Sequence, residues 1–142
     1  MAITYENVIF DRVIDSLQTI IADEFNIQVY FDEHEGNQSF LITPGLEELI
    51  ELFANGQTRS YSVSISYRFQ SSGNYTKNSL KQITEITERM KRLIHNNTAY
   101  SPSGTYKWHD GRIESTSFNR DEDNPSLLGA VLEFHCTSME TL

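Results

Sequence analysis

Residues 60–70 read Ser60-Tyr61-Ser62-Val63-Ser64-Ile65-Ser66-Tyr67-Arg68-Phe69-Gln70. Tyr61, Val63, Ile65, Tyr67 and Phe69 alternate strictly with polar side chains. A period of two gives an extended chain one apolar and one polar face, so this stretch is a strand with one side buried in a sheet. Eleven residues at about 3.3 Å each span roughly 36 Å, about twice the usual strand length. A strand that long outruns the core of a small domain, so its end projects or pairs with another copy.

The flanks are read outward from this strand. Upstream, Tyr5, Val8, Ile9, Val13, Leu17, Ile20 and Ile21 recur at helical spacing and predict a helix over 5–24, capped by Thr4, favoured by Glu6 and ended by Asn26. Residues 27–32 alternate as a strand, 33–37 turn, and 38–43 return, which predicts a hairpin. Thr43-Pro44-Gly45 breaks that strand, and Leu46, Leu49, Ile50 and Phe53 predict a short helix closed by Asn55-Gly56. Downstream, Ser71-Ser72-Gly73-Asn74 is a turn. A second helix is predicted over 76–95, with Leu80, Ile83, Ile86, Met90, Leu93 and Ile94 on its apolar stripe. A loop over 96–104 leads to a predicted hairpin, 106–114, folded about Asp110-Gly111, then an acidic loop over 119–126. The last strand, 127–138, sets Leu128, Ala130, Leu132, Phe134 and Cys136 on one face and Glu133, His135 and Thr137 on the other. Helices and strands do not alternate as βαβ units do. The expectation is an α+β fold, a mainly antiparallel sheet with two long helices packed on one face, in a single domain over 1–142.

The 142 residues suffice for one core, with a folded surface of roughly 7,500 Å². No apolar run approaches a membrane span, and the opening Met1-Ala2-Ile3-Thr4-Tyr5-Glu6 lacks the basic and apolar regions of a secretory signal, so no membrane role and no export are expected. One cysteine, Cys136, excludes an internal disulfide framework. A net charge of −9 disfavours a general nucleic-acid binder. The charge is also segregated. Residues 1–56 hold eleven acids and one base, 57–112 hold nine bases and three acids, and 113–142 hold six acids and one base. Acidic and basic segments of this kind pair within one fold or head to tail between copies.

Motifs that carry chemistry are sparse. There is no phosphate-binding loop, dinucleotide fingerprint, nucleophile elbow or His-Glu-x-x-His. Asp32-Glu33-His34-Glu35 offers metal-ligand types, but no matching His or Cys spacing supports it, and it reads as an acidic tip. Asp121-Glu122-Asp123-Asn124 resembles the start of a calcium loop but has Ser126 where a glycine is needed. His135 and Cys136 are strand neighbours that point to opposite faces, so they form no dyad, and Cys136 reads as core. His95 is placed to cap its helix, and His109 to be exposed. Tyr106 and Trp108 read equally as core and as an interface anchor. The Asn37, Asn74 and Asn96 sequons are chance matches without export. No catalytic residue, cofactor or metal site is expected, and the chain does not read as an enzyme.

The order of elements, with the wording Tyr5-Glu6-Asn7-Val8-Ile9-Phe10-Asp11, Asn37-Gln38-Ser39-Phe40-Leu41-Ile42 and Trp108-His109-Asp110-Gly111-Arg112-Ile113-Glu114, resembles the tail terminator, or tail-completion, family of neck proteins of tailed bacteriophages. The resemblance covers most of the chain and rests on architecture and texture. It implies a structural virion protein, made in the host cytoplasm, whose homo-hexameric ring caps the tail tube and stops its polymerisation. It implies as partners other copies of the chain, the tail tube protein and the head-side connector or stopper, with DNA passing through the channel without specific binding. On this reading Lys77, Lys81, Arg89, Arg92, Tyr61 and Tyr67 face a neighbouring subunit. Glu33, Glu35, Asp121, Glu122 and Asp123 face the lumen or an adjacent ring. The alternatives are a head-side adaptor or stopper, another minor tail protein, and, more remotely, a small metal-dependent hydrolase.

Overall fold

A computed structural model describes residues 2–71 and 77–142. The diagnostic alternation becomes β3, Gly56–Gln70, fifteen residues long. Tyr61, Val63, Ile65, Tyr67 and Phe69 are all buried on one face. Antiparallel partners flank it on both sides: β2, Gln38–Phe53, and β5, Leu127–Thr141. Ile65 stands between Ile42 and Leu132, and Tyr67 between Phe40 and Ala130, so each rung buries three apolar side chains. β4, His109–Arg120, pairs with the far side of β5, and β1, the two residues Val29–Tyr30, with β2. The strand order is β1-β2-β3-β5-β4.

Two helical segments complete the core. A π-helical stretch, Ile9–Ile14, continues into α1, Asp15–Phe25, which ends at Asn26 in the left-handed conformation with its N–H donating to the Ala22 carbonyl at 2.9 Å. α2 spans Lys77–Asn96. Val13, Leu17 and Ile21 of the first segment and Ile83, Met90 and Ile94 of α2 join one core with the sheet. The rings of Phe25, Phe40 and Tyr67 contact in series at 5.1 Å spacings. Arg12 ties the N-terminal segment down. It donates to both Glu6 carboxylate oxygens at 2.7 and 2.9 Å, and to Ser138 Oγ and the Met139 carbonyl of β5.

This is a mixed α/β fold dominated by sheet, which corrects the expected α+β fold of a mainly antiparallel sheet with two long helices. β1 joins β2 in parallel, with Val29 opposite Phe40, where an antiparallel hairpin was expected. The chain can enter that way because 31–37 crosses to the polar face of the sheet. There His34 is pinned between the hydroxyls of Ser39 and Ser66, and Gly36 takes a positive φ of 76°. The helix expected at 46–53 is the outer half of β2. Register shifts at 44–47 and 49–51 break the period of two, and the surplus residues leave an apolar spacing that mimics a helix. Pro44 does not break the strand, because β2 is an edge strand from Ile42 onward, where proline is tolerated. Asn55-Gly56 closes no helix; Ala54 and Asn55 turn β2 into β3.

Asp110-Gly111 is not a hairpin turn but a bulge within β4, where the register jumps from His109 to Arg112 and Asp110 takes φ 57°. The approach to β4 instead bridges Trp108 to Tyr100. Thr4 does not cap the first helix, which opens at Val8, where the Asn7 side chain accepts from the Phe10 N–H at 3.4 Å. Leu80, expected in the core stripe of α2, is 46% exposed. Residues 72–74 of the expected turn lie outside the described residues. So do Thr76, the expected start of the second helix, and the Asn74-Tyr75-Thr76 sequon.

Candidate assembly interface

The bulged half of β2 is the most unusual surface of the molecule. Over 46–52 every residue of the strand is exposed, so side chains on both of its faces reach solvent, and Phe53 is half-buried. Leu46, Leu49, Ile50 and Leu52 are 61%, 48%, 56% and 68% exposed. β1 covers β2 only at Phe40 and Leu41, so among the described residues no strand pairs with its outer edge beyond that point. The bulge at 44–47 is locked by Ser62, whose hydroxyl accepts from the Leu46 N–H at 2.7 Å and donates to the Leu46 carbonyl at 3.1 Å. Glu47 pairs with Arg59 across the arm at 3.4 Å, while among the described residues Glu48 and Glu51 have no ion-pair partner. Leu46, Leu49 and Ile50 were expected as the stripe of a short helix rather than as an exposed strand edge, and Leu52 was not singled out.

The basic positions lie on α2. Lys81 pairs with Glu85 at 3.9 Å and Lys91 with Glu88 at 2.6 Å. Arg89, one of the proposed contact residues, also binds within its own chain. It donates to the Glu24 carboxylate at 3.2 Å and carbonyl at 3.0 Å, and lies 4.6 Å over the Phe25 ring, so it joins α2 to α1 of its own chain. Lys77 and Arg92 are exposed and, among the described residues, have no carboxylate partner. Glu88, Arg89, Lys91, Arg92 and His95 line an open groove of about 650 Å³ on the late turns of α2. His95 does not cap the helix; the Asn97 side chain does, donating to the Leu93 carbonyl at 2.9 Å.

Tyr61 and Tyr67 are corrected as subunit contacts, because both side chains are core. Burial, with the nearby Glu47 and Glu140 charges, pushes the Tyr61 phenol up to about 12. Tyr67 donates its hydroxyl to Gln38 Oε1 at 2.8 Å. The five acids proposed for the lumen are all exposed and gather at one end of the sheet, opposite the arm. The Gln70 N–H donates to the Asn37 carbonyl and the Ser71 N–H to the Ser126 carbonyl, each at 2.7 Å, which holds the loops carrying Glu33 and Glu35 and carrying 121–123 side by side.

The other candidates resolve structurally. Asp121 Oδ1 accepts from the N–H groups of Asp123 and Asn124, a turn rather than a calcium cradle. Among the described residues no three His, Cys, Asp or Glu converge on a metal position. Cys136 is buried, and burial pushes its thiol up to about 12, against nucleophilic use at neutral pH. Trp108 is fully buried, stacked on Tyr100 at 4.9 Å and edge-on to Phe134 at 5.3 Å, with its indole N–H donating to the Asn97 carbonyl. Tyr106 bonds the exposed His109 at 2.6 Å. No described helix is long and apolar enough to cross a membrane. The chain matches no protein family model and no curated protein.

Proposed function

We propose that this chain is a structural subunit of a phage neck, a tail terminator that assembles head to tail into a six-membered ring. The ring caps the tail tube, and its other side meets the head-side connector. One observation carries the reading: the outer half of β2, with four exposed apolar side chains on an open strand edge. An open, apolar edge is a template for association, which monomers usually blunt or cover. Segregated charge supports contacts between unlike surfaces, which close into rings when the rotation allows. The acidic end of the sheet suits the wall of a DNA channel, because carboxylates repel the phosphates that a basic lining would hold.

The test is the native mass of the purified chain, by light scattering and negative-stain imaging across concentration, alone and with purified tail tubes. The expected result is a six-membered ring with a central hole, free or seated on the tube end. A twelve-membered ring would favour a head-side adaptor. A chain that stays monomeric in both settings overturns the proposal.

A further inference from the structure

We infer that the outer half of β2 of one copy docks along the exposed face of α2 of the next copy, with Glu48 and Glu51 against the Lys91 and Arg92 end of the groove. This rests on the ring reading above and names the two halves of its contact.

The first argument is charge. The arm surface carries Glu47, Glu48 and Glu51, of which only Glu47 is paired within the chain, among the described residues. The face of α2 carries Lys77, Lys81, Lys91 and Arg92 against Glu85 and Glu88. Two arms meeting each other would set their unpaired glutamates together, a like-charge contact that disfavours a two-fold dimer through this surface. An arm on α2 instead brings unlike charges together. The second argument is shape and polarity. Residues 46–53 extend about 26 Å as a strand, and the twenty residues of α2 extend about 30 Å, so the arm spans most of the helix. Leu80, exposed near the start of α2, meets the apolar side chains of an arm that reaches that far. The third argument is placement. α2 packs over β4 and β5, while β2 lies across the sheet, three strand spacings or about 14 Å from β4. The two surfaces are therefore separate patches of one chain, as a head-to-tail contact requires.

The test uses two double variants of the full chain, Glu48→Lys with Glu51→Lys on the arm, and Lys91→Glu with Arg92→Glu on the helix. Circular dichroism checks the fold, and ring formation is read by native mass, alone or on tail tubes. Each double variant is expected to lose the ring. An equimolar mixture of the two is expected to regain the ring with the two variants alternating, because the reversed arm meets the reversed helix and the intact arm meets the intact helix. The chain with all four reversals is expected to regain the ring. If the wild-type chain forms rings and either double variant still does, or the fourfold variant stays folded without regaining them, the inference falls and the neck reading stands. If the wild-type chain forms no ring in either setting, the neck reading falls and takes the inference with it. Should a reversal unfold the chain, Glu48→Gln with Glu51→Gln and Lys91→Gln with Arg92→Gln replace it. Association at least tenfold weaker in both is then expected, and unchanged association overturns the inference.

Discussion

His34 shows how one side chain can redirect a chain. Its Nδ1 meets Ser39 Oγ at 2.7 Å and its Nε2 meets Ser66 Oγ at 2.9 Å, while its carbonyl accepts from Arg68. A neutral ring suits two hydroxyls, since one nitrogen donates and the other accepts. Burial holds the His34 pKa below its ordinary value, and the Arg68 charge adds to the effect. A pKa depressed on folding means that the unfolded chain takes up a proton first as pH falls. The stability due to neutral His34 is thus fully present above about pH 6.5, the free histidine value, and is lost as pH falls toward the lower folded value. The urea midpoint of the wild-type chain is expected to drop between pH 7.5 and 5.5. In His34→Gln, which keeps a donor and an acceptor but does not titrate, the drop is expected to shrink. Equal drops in both chains would show that His34 does not carry the effect.

At the scale of elements, β-bulges explain most of what differs from the sequence pattern. The bulge at Asp110-Gly111 lets β4 run on as one strand along β5. Gly111 is required there: a Cβ would lie 2.7 Å from the Trp108 indole nitrogen and 3.2 Å from the Thr98 carbonyl, which also accepts the Gly111 N–H. Gly111→Ala must push the indole off its bond to Asn97 or open the bulge, and is expected to cost about 1–3 kcal/mol, read as a lower urea midpoint with unchanged slope. The β3 alternation, the α2 stripe from Ile83 to Ile94 and the buried face of β5 were legible because they bury one side at a constant period. The helix at 46–53 and the hairpin at 106–114 misread bulged strands, since an inserted residue erases the period that defines a strand. The parallel entry of β1 was illegible for a different reason: the 31–37 crossover is held by His34 on Ser39 and Ser66, and Ser66 lies 32 residues away. Of the proposed contact residues, Tyr61 and Tyr67 were misplaced although the alternation already set them on the buried face of β3. The α2 cations were legible from their spacing, but the partnership of Arg89 with Glu24 needed the fold.

The whole molecule is a packed domain with a thin extension. Its accessible surface is 8564 Å², above the roughly 7,500 Å² expected for this length, and the exposed outer half of β2 contributes to that excess. Stability should therefore grade along the sheet. Amides of β3 from Val63 to Phe69 are bonded on both sides of a strand buried in the core, and open only with global unfolding. Outward amides of 46–53 have no strand partner among the described residues and no apolar cover, so they should exchange with almost no protection in the monomer. Hydrogen exchange read by mass spectrometry is expected to show this gradient in dilute protein. On ring formation, peptides covering 46–53 and 80–95 should slow together, because docking buries both surfaces in one event. The 32–37 loop, at the opposite end of the sheet, should keep its rate unless a second ring is added. Strong protection of 46–53 in the monomer would mean that the arm is already covered by its own chain, and an edge already covered has nothing to offer a neighbour.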